Sequence, residues 1–97
     1  MVKELTKDDF DAEVIKSELP VIVDFWASWC GPCQMLAPVF EKVSSEFEGK
    51  MKFAKISTEE HPEISEKYGI RSIPCLKIFH KGEEVAELIG FKQEDQL

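Results

Sequence analysis

Two cysteines separated by two residues, Cys30-Gly31-Pro32-Cys33, stand between an apolar run ending at Ala27 and an amphipathic stretch opening at Pro32. A thiol at the first turn of a helix faces unpaired backbone N–H groups and the positive end of the helix dipole, and both favour its thiolate. The thiolate is the form that attacks disulfides. Cysteines three apart at a helix start are also surface neighbours within reach of a mutual disulfide. Closing so small a loop hardly restricts the unfolded chain, so the bond stabilises little. It is better explained as a bond that opens and closes. Cys30, at the helix mouth beside Trp29, is expected to be the exposed nucleophile, and Cys33, inside the first turn, the resolving thiol. Pro32 suits that first turn, where a missing N–H is no loss.

Two plainer readings compete. The pair could be half of a zinc site, but Cys75, His61 and His80 show no ligand spacing for the other half. Buried, inert cysteines are common in general, yet a helix mouth is an uncommon place for them.

The elements that must hold this pair follow from periodicity. Val2 to Leu5 is a short strand candidate, and Thr6 is placed to cap a helix over about 7–17, with Asp8, Asp9 and Asp11 near its positive end. Pro20 to Ala27 is apolar apart from Asp24, as expected of a central strand covered on both faces. Leu36, Phe40, Val43 and Phe47 form one face of the helix after the cysteines, Pro38 interrupts it and Gly49 stops it. Met51 to Ser57 reads as a strand, and Pro62 to Tyr68 as a short helix ended by Gly69. Cys75 to His80, a Lys81-Gly82 turn and Glu83 to Ile89 form a hairpin, and 92–97 reads as the start of a last helix. The order β-α-β-α-β-α-β-β-α implies a mixed five-stranded α/β sheet flanked by helices, in one domain over 1–97.

Asp24 is the second residue with chemical meaning. A carboxylate in the middle of an apolar strand is desolvated, which raises its pKa, and its strand leads straight to the loop carrying Cys30. Lys55 shares strand parity with Met51 and Phe53, so a lysine is aimed at an otherwise apolar face. A buried Asp24–Lys55 ion pair explains both residues structurally. A proton acceptor for Cys33, tuned by burial near an ammonium, explains them chemically.

The 97 residues carry 12 basic and 19 acidic side chains, a net charge of −7. No basic cluster could track phosphates or an anionic membrane, so nucleic acid and lipid are poor partners. The opening decapeptide is charged, with Lys3, Glu4, Lys7, Asp8 and Asp9, and lacks the apolar core of a signal peptide. An odd count of three cysteines argues against a secreted disulfide framework. A cytoplasmic protein is expected.

The segments Val23-Asp24-Phe25-Trp26-Ala27, Trp29-Cys30-Gly31-Pro32-Cys33 and Tyr68-Gly69-Ile70-Arg71-Ser72-Ile73-Pro74, continued by Phe79-His80-Lys81-Gly82 and Gly90, resemble the thioredoxin family over nearly the whole chain. The resemblance implies the thioredoxin fold and a general dithiol reductant of protein disulfides, recharged by a thioredoxin reductase, with no organic cofactor and no metal. It places Cys30 and Cys33 as the redox-active disulfide, Asp24 and Lys55 in catalytic positions beside them, and Gly31, Pro32 and Pro74 in support. It implies a cis peptide bond before Pro74, where a trans proline opening a strand would otherwise be the default. The Ile73 backbone is then free to pair with an extended substrate segment. Trp29, Ile73, Pro74 and Gly90, with Gly31 and Pro32, are the implied docking surface, against ordinary core packing for Trp29 and Ile73. For Trp26 core packing is favoured.

Three positions depart from the family. Cys75 stands where threonine is more usual, as an oxidant sensor or, preferably, as a small apolar filler. Phe91 is bulkier than the usual small residue. The final helix is shorter than the family's, a truncation expected to leave an apolar patch that invites dimerisation or lowers stability. Two rivals to the reductase reading stand: an oxidase or isomerase on the same scaffold, disfavoured by the Gly31-Pro32 spacer, and a binding module with incidental thiols.

Overall fold

A computed structural model describes residues 2–90. Five strands, β1 (Val2–Leu5), β2 (Val21–Trp26), β3 (Lys52–Ser57), β4 (Cys75–His80) and β5 (Glu83–Ile89), form one sheet in the order β1-β3-β2-β4-β5. β3 runs parallel to both β1 and β2, whereas β4 is antiparallel to β2 and to β5. β2 lies at the centre, hydrogen-bonded on both edges, which is why its sequence is almost wholly apolar.

Alternation along β2 divides the core in two. Val21, Val23 and Phe25 face the side where Phe10, Val14 and Phe79 pack, with Ile64, Tyr68 and Ile70 at the edge. Phe10 and Phe79 meet edge to face there, their centroids 5.9 Å apart. Ile22 faces the other side, against Leu36, Phe40 and Val43 of α1 (Gly31–Glu46) and Phe53 of β3. Asp24 shares the parity of Ile22 and therefore points toward the α1 side.

The four interior elements expected from the sequence are present, their ends shifted by a residue or so. The hairpin has the expected limits and its Lys81-Gly82 turn, where both residues have positive φ. α2 is Pro62–Lys67, followed by Gly69 at φ 66°. α1 includes Pro38 and ends before Gly49. Phe47, expected on the buried face, is 40% exposed and stacks on Phe53 from the helix end.

The first helix is the main departure. In place of a helix over 7–17, a turn at 7–9 leads into a wide helical segment, Asp11–Ile15, where Lys16 N–H donates to the carbonyl of Asp11 five residues back. Thr6 does act at its start: its hydroxyl accepts from Asp8 N–H, and its own N–H donates to the Asp9 carboxylate at 2.7 Å. The side chains of Thr6 and Asp9 in this way close a local turn at 6–9 where the first helical turn was expected. The expected last helix over 92–97 and Phe91 lie outside the described residues.

Candidate functional site

The dithiol sits where β2 passes into α1. The intervening loop is pinned at Ser28, whose N–H donates to Glu59 Oε1 and whose carbonyl accepts from Gln34 Nε2, each at 2.7 Å. Cys30 N–H donates to the Ala27 carbonyl at 3.2 Å. These bonds deliver Cys30 in an extended conformation as the cap of α1, and its Sγ accepts the N–H of Cys33 at 3.2 Å. Pro32 occupies the first turn as expected. Neither Glu59 nor Gln34 was legible as a site residue: the Glu59 contact spans 31 residues and leaves no local pattern, and Gln34 reads as an ordinary helix position.

Cys30 and Cys33 are joined by a disulfide, with Cα atoms 5.2 Å apart. The expected contrast in exposure is corrected: Cys30 is 4% and Cys33 3% exposed. Cys30 is covered because its sulfur is enclosed by the first turn of α1 and the Ile73 carbonyl, 3.8 Å away. The side chain open to solvent is Trp29, at 72%. Ile73-Pro74 is a cis peptide bond, and the Pro74 carbonyl accepts the Gly90 N–H at 2.8 Å. The loop before β4 and the end of β5 thus meet beside the disulfide, gathering Trp29, Ile73, Pro74 and Gly90 on one side of the molecule.

Asp24 lies beneath α1 and is 3% exposed. It lines, with Trp26, Cys33, Gln34, Ala37 and Lys55, a cavity of about 90 Å³. Its Oδ1 has no hydrogen-bond partner among the described residues. Burial pushes its pKa up to about 7, and the positive charge of Lys55 opposes the shift without cancelling it. Lys55 is the direct neighbour of Asp24 across the β2–β3 register. Its ammonium stands over the Trp26 ring, 5.2 Å from the centroid. The pair is therefore not the closed ion pair of the structural reading: the carboxylate keeps an unused lone pair, and the lysine acts on it through charge. Trp26 packs against Ala27, Cys30 and Cys33, in line with a core role.

Cys75 is buried on the opposite face of the sheet, among Phe10, Phe25 and Phe79. Its thiol lies 3.7 Å from Glu87 Oε2. Burial, reinforced by the Glu87 charge, pushes that thiol up to about 11. It has the environment of an inert filler.

A family model described as Thioredoxin matches residues 1–97. Thioredoxin of Rickettsia bellii is 47% identical over 97 residues, covering 100% of this chain and 92% of the relative. Thioredoxin of Porphyra purpurea is 51% identical over 89 residues, covering 92% and 83%. Thioredoxin of Synechocystis is 53% identical over 81 residues, covering 84% and 76%. Similarity of this depth, on a fold that brings two bonded cysteines to a helix mouth, settles the family: the chain belongs to the thioredoxins and is a protein-disulfide oxidoreductase.

Proposed function

We propose that the chain works in the reducing direction, as a dithiol reductant of protein disulfides. In the reduced protein Cys30 attacks one sulfur of a substrate disulfide, the substrate bond breaks, and the released sulfur leaves as a thiolate. Cys33, once deprotonated, attacks Cys30 Sγ and expels the second substrate sulfur, which leaves the Cys30–Cys33 bond. Two electrons pass to the substrate. The donation of Cys33 N–H to Cys30 Sγ is the observation that carries the assignment of Cys30 as the attacking sulfur, since it favours negative charge there.

Asp24 is the proton acceptor for Cys33 in this reading. Both residues line one small cavity, and a carboxylate titrating at about 7 can take and return a proton near neutrality. Lys55 is a positioning residue that limits how far burial raises Asp24. Gly31 and Pro32 shape the turn, while Trp29, Ile73, Pro74 and Gly90 receive an extended substrate segment by strand addition.

Electrons return to the Cys30–Cys33 bond from a thioredoxin reductase, the partner the family resemblance implies. Such a cycle suits the cytoplasm, where thiols are kept reduced; no helix among the described residues is long and apolar enough to cross a membrane. The reading is tested by redox titration against a glutathione buffer, together with turnover on a disulfide-bonded protein. A potential near the value typical of thioredoxins, about −270 mV, is expected. A strongly oxidising value, about −120 mV, would assign the chain to the oxidase rival.

A further inference from the structure

Beside the dithiol, on the side away from Asp24, a groove of about 180 Å³ is lined by Trp29, Thr58, Ser65, Ile70, Arg71 and Ile73. Its one charge points to a ligand with a carboxylate. Arg71 is the only charged residue in the lining and the only arginine in the sequence. It is exposed and, among the described residues, has no ion-pair partner. Ile73 joins the groove to the chemistry, because its carbonyl lies 3.8 Å from Cys30 Sγ.

An arginine fork pairs with a carboxylate through two parallel N–H···O bonds, a geometry that lysine lacks. We propose that this groove selects disulfide substrates carrying an aspartate or glutamate a few residues from the attacked cysteine, with Arg71 receiving the carboxylate. The inference rests on the disulfide-reductase reading above and assigns Arg71 as a specificity determinant, not as a participant in sulfur exchange. The preference runs against the overall field, since a net charge of −7 repels acidic peptides at a distance. At about 0.15 M salt the field is screened beyond about 8 Å, whereas a contact pair survives.

The test uses disulfide-cyclised peptides that carry a single Glu, Gln or Lys at each position from one to four residues on either side of one cysteine. Reduction rates are measured at 0.15 M salt with the parent protein, Arg71→Gln and Arg71→Glu. At one or more positions the Glu peptide is expected to react about 2–5-fold faster than its Gln partner, the effect of a partly exposed charged contact. Arg71→Gln brings the two rates together, and Arg71→Glu transfers the advantage to the Lys peptide at that position. Equal rates for Glu and Gln peptides at every position, or a Glu preference that survives in Arg71→Glu, would overturn the inference. Failure of the parent protein to reduce any peptide would instead overturn the reductase reading.

Discussion

At the scale of single residues, three side chains carry consequences that can be measured. Asp24 has a folded pKa of about 7, raised from 3.8, so the native state holds a proton that the unfolded chain has released between those values. Stability from this group is full below the unfolded pKa and falls as pH rises through the folded one. A shift of about three units corresponds to on the order of 4 kcal/mol. Asp24→Asn is therefore expected to be the more stable protein at pH 8, by about 1–3 kcal/mol in urea unfolding, and to lose most of the slope between pH 4 and 7. The same substitution slows disulfide reduction if Asp24 receives the Cys33 proton; a variant that is less stable at pH 8 and equally fast contradicts both halves. Cys75 makes the opposite prediction. With its thiol at about 11 and the side chain buried, native protein treated with peroxide at pH 7.5 should gain no oxygen at Cys75 by mass spectrometry. Rapid sulfenic acid formation there would restore the sensor reading.

At the scale of elements, the β4–β5 hairpin holds a buried lysine that the sequence pattern contained but did not announce. Lys77 alternates with Cys75 and Phe79, so it faces the core, and its ammonium reaches Glu84 Oε2 at 2.8 Å and Glu87 Oε2 at 2.7 Å from the neighbouring strand. Removing both acceptors leaves an ammonium buried without its partners. The double change Glu84→Gln with Glu87→Gln is expected to cost about 1–3 kcal/mol, less than for a fully enclosed pair because both glutamates are part-exposed. Lys77→Met should cost much less, since it removes the charge and keeps an apolar stem. If the two variants unfold at the same urea midpoint, Lys77 is not held by this pair.

Elements were legible where one physical preference dominated: the apolar run of β2, the 3.6-residue face of α1 and the glycine-marked turns. They were less so at 7–17, where Thr6 and Asp9 satisfy capping preferences yet close a local turn through their side chains instead of opening a helix. In the site, Cys30, Cys33 and Asp24 could be found because each breaks an expected pattern. The clamp by Glu59 and Gln34, the enclosure of Cys30 by Ile73 and the turning of Lys55 toward Trp26 depend on tertiary approach, which no local spacing records.

At the scale of the whole molecule, the net charge bears on the encounter and the dithiol on the chemistry. With a net charge of −7, the protein should reduce basic protein substrates more slowly, and acidic ones faster, as salt rises from about 10 to 150 mM at fixed pH. Salt-independent rates for both would show that the global field does not steer association. The proposed chemistry rests on a division of labour between the two sulfurs. Cys33→Ser and Cys30→Ser, each incubated with a disulfide-bonded peptide and analysed by intact mass and fragmentation, test it most directly. Cys33→Ser should accumulate a one-to-one mixed disulfide on Cys30, while Cys30→Ser should form none on the same timescale; equal trapping on Cys33 in the second variant would contradict the account.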